Sequence, residues 1–398
     1  MEKRNRFIKR YSSGSGWGRY ICSRKNQLKI SLCIICKERL FHLKRTLLVN
    51  LKKVQDYPNL EIVLLDYNSQ DGMDKWVKTN LLPQLKRKKM VYYKTFEPQS
   101  FSHSHAKNMA FKLATGDIVC NINADSFMGR GLVWHINRLF HQNRNSFLFP
   151  SPRLGFDSGS AGVVCVRKED FLRVGGFDER FKVYGWEDAD FNNRLQHLGL
   201  EKVTLACKAF LYAIDHKEKY NSEQLIANVH TVYLGSTTPM QEAEVKALIL
   251  YKDATFKSGI IVNNLIKSMQ DKSFASAFNE REHQYTHELS GTFWQEGYWN
   301  ADGQDIVLLN KAHSLVGSFR KVAEERLESR ADQQPVCILY PVTDPELLSL
   351  MLYFQMDYDN RLIMISNIDD KTTEVNEGNF GQGIVFRNFD LTTPIRLS

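Results

Sequence analysis

Apolar and polar positions fall into alternating blocks along the first half of the chain. Residues 30–36 (Ile-Ser-Leu-Cys-Ile-Ile-Cys) form a near-continuous apolar run, which predicts a strand buried on both faces. Residues 40–54 change to helical spacing, with Leu40, Leu43, Leu47, Leu48, Leu51 and Val54 on one face. Residues 60–66 predict a second strand. The turn-forming Asn68-Ser69-Gln70-Asp71-Gly72 follows, and then a helix from Met73. Val91 to Tyr93 predicts a short strand, Ala106 to Ala114 a helix closed by Thr115-Gly116-Asp117, and Ile118 to Ile122 a further strand. This alternation predicts a Rossmann-like, mostly parallel α/β sheet, whose ligands bind beyond the carboxyl ends of the strands. The polar clusters of the chain fall at those ends: after Cys36, at Asp66, and at Asn123-Ala124-Asp125.

The pattern loosens after residue 150. Ser158 to Gly162 is rich in glycine and serine, and Val163 to Val166 resumes a strand. A helix over Phe171 to Val174 ends at Gly175-Gly176. Asp188 to Leu198 predicts a helix that stops at Gly199, and residues 203–214 hold another strand. Beyond residue 236 the spacing at 241–270 is helical. The last 65 or so residues predict strand 335–340, helix 346–355, strand 361–366 and strand 383–387. The expected organisation is therefore a basic tail at 1–29, an α/β domain at 30–235, and at 236–398 either a mixed helical and α/β extension or a partial second α/β domain.

Charge changes the picture at one end only. Residues 1–30 hold nine Lys and Arg against Glu2 alone; they account for the whole net charge of +8, and the rest of the chain balances. The folded body is thus not a basic nucleic-acid surface, and no nucleic-acid recognition module accompanies the tail. The tail suits either solvent or the anionic headgroups of a membrane. No apolar run of transmembrane length occurs, and the start of the sequence lacks a signal-peptide core, so the expected location is the cytoplasm or the inner face of the membrane. The seven cysteines are scattered, and the Cys33/Cys36 pair sits in a predicted strand without the turn a zinc or redox site needs.

Two segments carry chemistry. Asp125 follows a strand, where a carboxylate serves either as a turn residue or as a ligand for Mg²⁺ or Mn²⁺ holding a diphosphate. Tyr184-Gly185-Trp186-Glu187-Asp188-Ala189-Asp190 packs three acids and two aromatics at a helix start. Capping and the helix dipole account for some of these acids. Aromatic faces also stack on sugar rings, and a carboxylate there can take a proton from a hydroxyl.

In this order the segments resemble family-2-type glycosyltransferases of the GT-A fold, over roughly residues 30–220. Ser31 to Arg39 resembles the opening strand and loop of that family, Leu64 to Gly72 its uracil-contacting turn, and Ser104 to Ala110 its nucleotide-facing helix start. Asn123-Ala124-Asp125 stands at the Asp-x-Asp position, with Asn in place of the first acid. Residues 175–195 are similar to the carboxyl-terminal motif of galactosyl- and N-acetylgalactosaminyltransferases, including chondroitin-polymerase-like enzymes.

The resemblance implies a site. Asp66 would bond the uracil, with Arg39 and Asn68 nearby. Lys107 and Asn108 would face the nucleotide and diphosphate, and Asn123 a ribose hydroxyl. Asp125 would hold Mn²⁺ or Mg²⁺, and His216 stands where relatives place a metal-binding histidine, although a surface histidine fits the sequence nearly as well. Trp186 and Tyr184 would form the acceptor platform. Asp188 would be the general base, Glu187 would hold sugar hydroxyls, and Asp190 could be purely structural. The implied reaction is inverting transfer of a hexose or N-acetylhexosamine, with UDP-Gal or UDP-GalNAc favoured as donor, to a hydroxyl of a glycan or lipid-linked saccharide. The alternative is a non-catalytic nucleotide-sugar- or glycan-binding module on the same scaffold, for which Asn123 is the one hint. A nucleotidyltransferase would need a glycine-rich phosphate loop after the first strand, and Lys37-Glu38-Arg39-Leu40 does not supply one.

Overall fold

The computed structural model describes residues 27–150, 162–205, 208–214, 226–235, 244–262, 295–322, 326–330 and 337–398. Contacts divide the chain into two units. The first comprises residues 1–181, 186–215 and 364–398, and the second residues 182–185 and 216–363.

The first unit is built on β1 (Ile30–Cys36), β2 (Leu60–Tyr67), β3 (Met90–Thr95) and β4 (Ile118–Asn121). β1 runs parallel to β2 and to β4, and β2 runs parallel to β3. The order β3-β2-β1-β4 reverses direction at β1, which makes the carboxyl ends of β1 and β4 the topological switch point. β7 (Cys165–Arg167) and β6 (Ser146–Pro150) continue the sheet beyond β4, followed by β8 (Glu201–Leu205).

Pleating sorts the residues of β1 to two sides. Leu32 and Ile34 pack under α1 (Leu40–Val54), α2 (Met73–Asn80), α3 (Leu82–Lys86) and α5 (Leu132–Gln142). Cys33 packs under α4 (His103–Leu113), α6 (Lys168–Arg173) and α7 (Glu187–His197). Cys33 and Cys36 are free and buried in this strand. A small pair, β5 (Ser126–Met128) with β9 (Leu211–Ala213), sits beside α1. The α/β class expected from the sequence is therefore present.

The extension differs from its expectation. Residues 244–262 are strands, not helix, and belong to an antiparallel closed barrel in the second unit. Its strands are β10 (Val229–Gly235), β11 (Glu244–Tyr251), β12 (Thr255–Val262), β13 (Gln295–Asp302), β14 (Asp305–Asn310), β15 (Leu315–Lys321), β16 (Leu327–Ser329) and β17 (Ile338–Pro341). The reason is double burial. Leu248 and Leu250 of β11 face the barrel core with Phe256 and Phe319. Ala247 and Ile249 face Met351 and Leu352 of α8 (Pro345–Asp369). A strand buried on both faces loses its alternation, and periodicity cannot then separate it from a helix.

The strand expected at 361–366 is likewise part of α8, with an i,i+4 bond from Arg361 to Asp357 at 2.8 Å. Its short apolar run, Leu362 to Ile365, lies on a helix with Leu362 and Ile365 exposed. Among the described residues, no second α/β domain begins here. Instead β18 (Gly383–Arg387) pairs antiparallel with β3 and with β19 (Asp390–Leu397), extending the first sheet. Among the described residues, no helix is long and apolar enough to cross a membrane.

Candidate functional site

The loops after β1 and β2 are stitched together. Asp66 accepts from Ser69 N–H at 2.8 Å through Oδ1 and from the Tyr92 hydroxyl at 2.7 Å through Oδ2. It is fully buried and shapes the turn. Asn68 adopts φ +58° and donates its amide to the Pro98 carbonyl. Glu38 accepts from Gln70 N–H at 2.7 Å, and Asp71 accepts from Leu40 N–H at 2.8 Å, holding the start of α1. Arg39 lies exposed at that start.

The densest chemistry lies where α4 meets the start of α7. Lys107 is 3% exposed, yet its Nζ donates to Asp188 Oδ1 at 2.6 Å and to Glu187 Oε1 at 3.1 Å. It therefore faces the acid pair. His103, one turn before Lys107, places Nδ1 3.9 Å from Glu187 Oε1. Glu187 and Asp188 open α7, where the helix dipole favours negative charge. Trp186 precedes them at φ +72°, a left-handed conformation that a tryptophan adopts only under constraint.

The two acids titrate apart. Burial pushes the Asp188 carboxyl up to about 7; Lys107 opposes the shift and Glu187 adds to it. Asp188 still keeps 21% of its side-chain surface exposed, so this carboxyl meets solvent. For Glu187, burial works upward but Lys107 and His103 outweigh it, and the net direction is down. His103 itself is pushed down to about 4 by burial, and is therefore neutral at physiological pH.

The end of β4 joins this group. Asn121 donates to the Gly162 carbonyl at 2.7 Å and to Asn123 Oδ1 at 3.1 Å. A Cβ on Gly162 would lie 3.1 Å from Asp188 Oδ2 and 3.4 Å from Asn123 Oδ1, so both side chains converge on one point. Asp125 follows, half-buried, accepting weakly from the Ser126 hydroxyl at 3.4 Å. Among the described residues, no cluster of three or more His, Cys, Asp or Glu forms a ready metal site. His216 lies outside the described residues.

Of the other expected site residues, Asn108 and Asp190 are buried and Tyr184 is exposed. Asn108 is fully buried and clamps the glycine turn: it accepts from Phe177 N–H at 2.7 Å and donates to Glu179 at 2.9 Å. Gly176 must be glycine, because at φ +71° its Cβ would stand 2.4 Å from Asn108 Oδ1. Asp190 is buried against Arg194 at 2.7 Å and Asn367 at 2.8 Å, a structural acid. Tyr184 is 53% exposed and belongs to the second unit, where its carbonyl accepts from Asn360 at 3.2 Å. His103 escaped the sequence reading, although its i,i+4 spacing from Lys107 puts both on one helix face.

Comparison with known proteins adds the following. Residues 144–217 match the family described as the N-terminal domain of galactosyltransferase. No curated protein matches the chain. A mannosyltransferase from Pyrobaculum calidifontis, in complex with GDP-Man and Mn²⁺, is 19% identical with a TM-score of 0.42, covering 50% of this chain and 61% of that one. S. aureus TarS (residues 1–349) in complex with UDP-GlcNAc is 16% identical with a TM-score of 0.40, covering 50% of this chain and 65% of that one. The chain thus spans less than two thirds of the length of these structures. In the sequence around its acidic motif, the chain resembles glycosyltransferases.

Proposed function

We propose that the chain is an inverting glycosyltransferase that moves a sugar from a nucleotide-sugar to an acceptor hydroxyl, with Asp188 as general base. The observation that carries this is the placement of Asp188. It is a partly exposed carboxyl, with a pKa raised to about 7, facing Asn123 at the switch-point strand end. A base poised near the working pH removes a hydroxyl proton most effectively. The acceptor oxygen then bonds the anomeric carbon as the bond from that carbon to the diphosphate oxygen breaks, and the nucleoside diphosphate departs. The proton ends on Asp188, and one displacement inverts the anomeric centre. Glu187, held ionised by Lys107, would accept from sugar hydroxyls, and Trp186 would stack on the acceptor. The similarity of residues 144–217 to galactosyltransferase favours UDP-Gal or UDP-GalNAc as donor.

A divalent cation fits the residues present in one mode. Asp125 offers a hard carboxylate two residues after Asn123, and no group of three or more His, Cys, Asp or Glu completes a protein cage among the described residues. Mg²⁺ and Mn²⁺ suit such a site because substrate phosphates and water supply the remaining oxygens. The bound cation would neutralise charge on the departing diphosphate. EDTA is expected to stop UDP release from UDP-GalNAc or UDP-Gal with an acceptor panel, and Mn²⁺ to restore it. Full activity in EDTA would remove Asp125 from this role. Metal-supported donor binding without any turnover would instead favour a binding module.

Burial raises the Asp188 carboxyl toward pH 7, and Lys107 limits that rise. The acid limb of kcat/KM is expected near pH 7, since the ionised fraction of Asp188 grows with pH through that value. Neutral His103 contributes no titration there. In Lys107→Met the carboxylate loses its cationic partner, and the limb is expected to move up by about one unit or more. Lys107→Arg keeps the charge and should hold the limb near its original place. A pH–rate profile with its limb in the ordinary carboxylate range would contradict the assignment.

A further inference from the structure

The helices on one side of the first sheet have a charge bias that the donor and acceptor site does not use. α1, α2, α3 and α5 together carry eight Lys and Arg and one acid, Asp74. Exposed Arg87-Lys88-Lys89 follow α3 directly. Because residues beyond the tail are charge-balanced overall, this concentration is local.

The outer face of α1 is also apolar. Phe41 is 67% exposed, Val49 38% and Leu48 37%, while Lys44, Arg45 and Lys52 are exposed between them at i,i+3 and i,i+4 spacing. The Arg45 guanidinium lies over the Phe41 ring, 5.5 Å from its centroid. At the other end of α1, Lys53 lies 5.5 Å over Tyr212, a 44% exposed ring stacked on Phe127.

We propose that this helix layer is a docking surface for an anionic membrane. A face meant only for solvent has no use for Phe41, Leu48 and Val49, and one meant for a polyanionic chain alone needs the charges but not the apolar side chains. A lipid headgroup region uses both. Apolar side chains enter the acyl boundary, the stems of Lys44, Arg45 and Lys52 lie along them with their charges at the phosphates, and tyrosine suits the wet edge. The surface is formed by residues other than those of the basic stretch at 1–29, and a rigid helix face would give the chain a fixed orientation.

The test is co-sedimentation of the full chain with phosphatidylcholine vesicles, with and without phosphatidylglycerol. Binding is expected only with the anionic lipid and is expected to weaken as salt rises. Lys44→Glu/Arg45→Glu/Lys52→Glu and, separately, Phe41→Ser/Leu48→Ser/Val49→Ser should each lower vesicle affinity by about tenfold or more. Both sets replace exposed side chains, and an unchanged unfolding midpoint verifies the fold. Parent-like vesicle binding by both variants would overturn the proposal and leave attachment to the tail. So would binding to an RNA duplex that both sets weaken while vesicle binding is absent, or self-association of the parent that the serine variant abolishes without any vesicle binding.

Discussion

Asp188→Asn should lower the rate of sugar transfer by about a thousandfold while leaving UDP affinity within about twofold of the parent. The substitution is nearly isosteric. The carboxamide oxygen can still accept from Lys107 Nζ, which bonds Oδ1 at 2.6 Å, so the start of α7 keeps its anchor. What is lost is the capacity to take a proton. Asp188 is also the acid of the pair with the raised pKa, whereas Glu187 is held ionised chiefly by Lys107. Two carboxylates with pKa values pushed apart mark different duties, and the poised one is the base. UDP release under saturating donor and acceptor gives the rate, and calorimetry with UDP and Mn²⁺ gives the affinity. Transfer within tenfold of the parent would end the assignment. Loss of UDP binding in step with rate would move Asp188 from base to donor binding.

The parts of this site that are contiguous in sequence were legible; the parts assembled from afar were not. Glu187, Asp188 and Asp190 stand within four residues of one another, and the helix start they mark is where the acids gather. Lys107 was visible as a basic residue at a helix start, but its partners lie 80 and 81 residues further along the chain, and no local pattern reports them. The resemblance implies that Asp66 and Asn108 face the nucleotide. The structure buries them against Tyr92 and the Phe177 backbone, partners that no local pattern reports. The same distinction divides the fold. β1, β2 and β4 are apolar runs closed by turn residues, so their parallel arrangement could be read directly. The return of β18 to the edge of β3 joins positions nearly 300 apart, as in the bond from Tyr92 N–H to Asn388 Oδ1, and it depends on register that a strand-length segment does not encode.

Asp190→Ala should destabilise the first unit by about 3–5 kcal/mol, the largest stability loss expected of any single change near the site. Arg194 is fully buried, and besides Asp190 it donates to the Val174 and Gly176 carbonyls at 2.9 and 2.8 Å. Removing the carboxylate leaves a guanidinium in the core with only neutral acceptors, and it leaves the Asn367 amide without its bond to Asp190 Oδ1. The glycine turn at 175–176 hangs from the same guanidinium, so the loss reaches the segment leading into α7. Amide exchange across α7 in a urea series reads this unit without averaging over the barrel. Asp190→Asn should cost less, because it keeps hydrogen-bonding atoms in place while losing the charge. Asp190→Leu combined with Arg194→Met should recover much of the loss, since an apolar pair of similar volume carries no uncompensated charge. At a temperature where Asp190→Asn is folded, its transfer rate should stay within about tenfold of the parent, in contrast to Asp188→Asn. A rate loss as deep as that of Asp188→Asn, with the fold intact, would make Asp190 a participant in the chemistry and not its support.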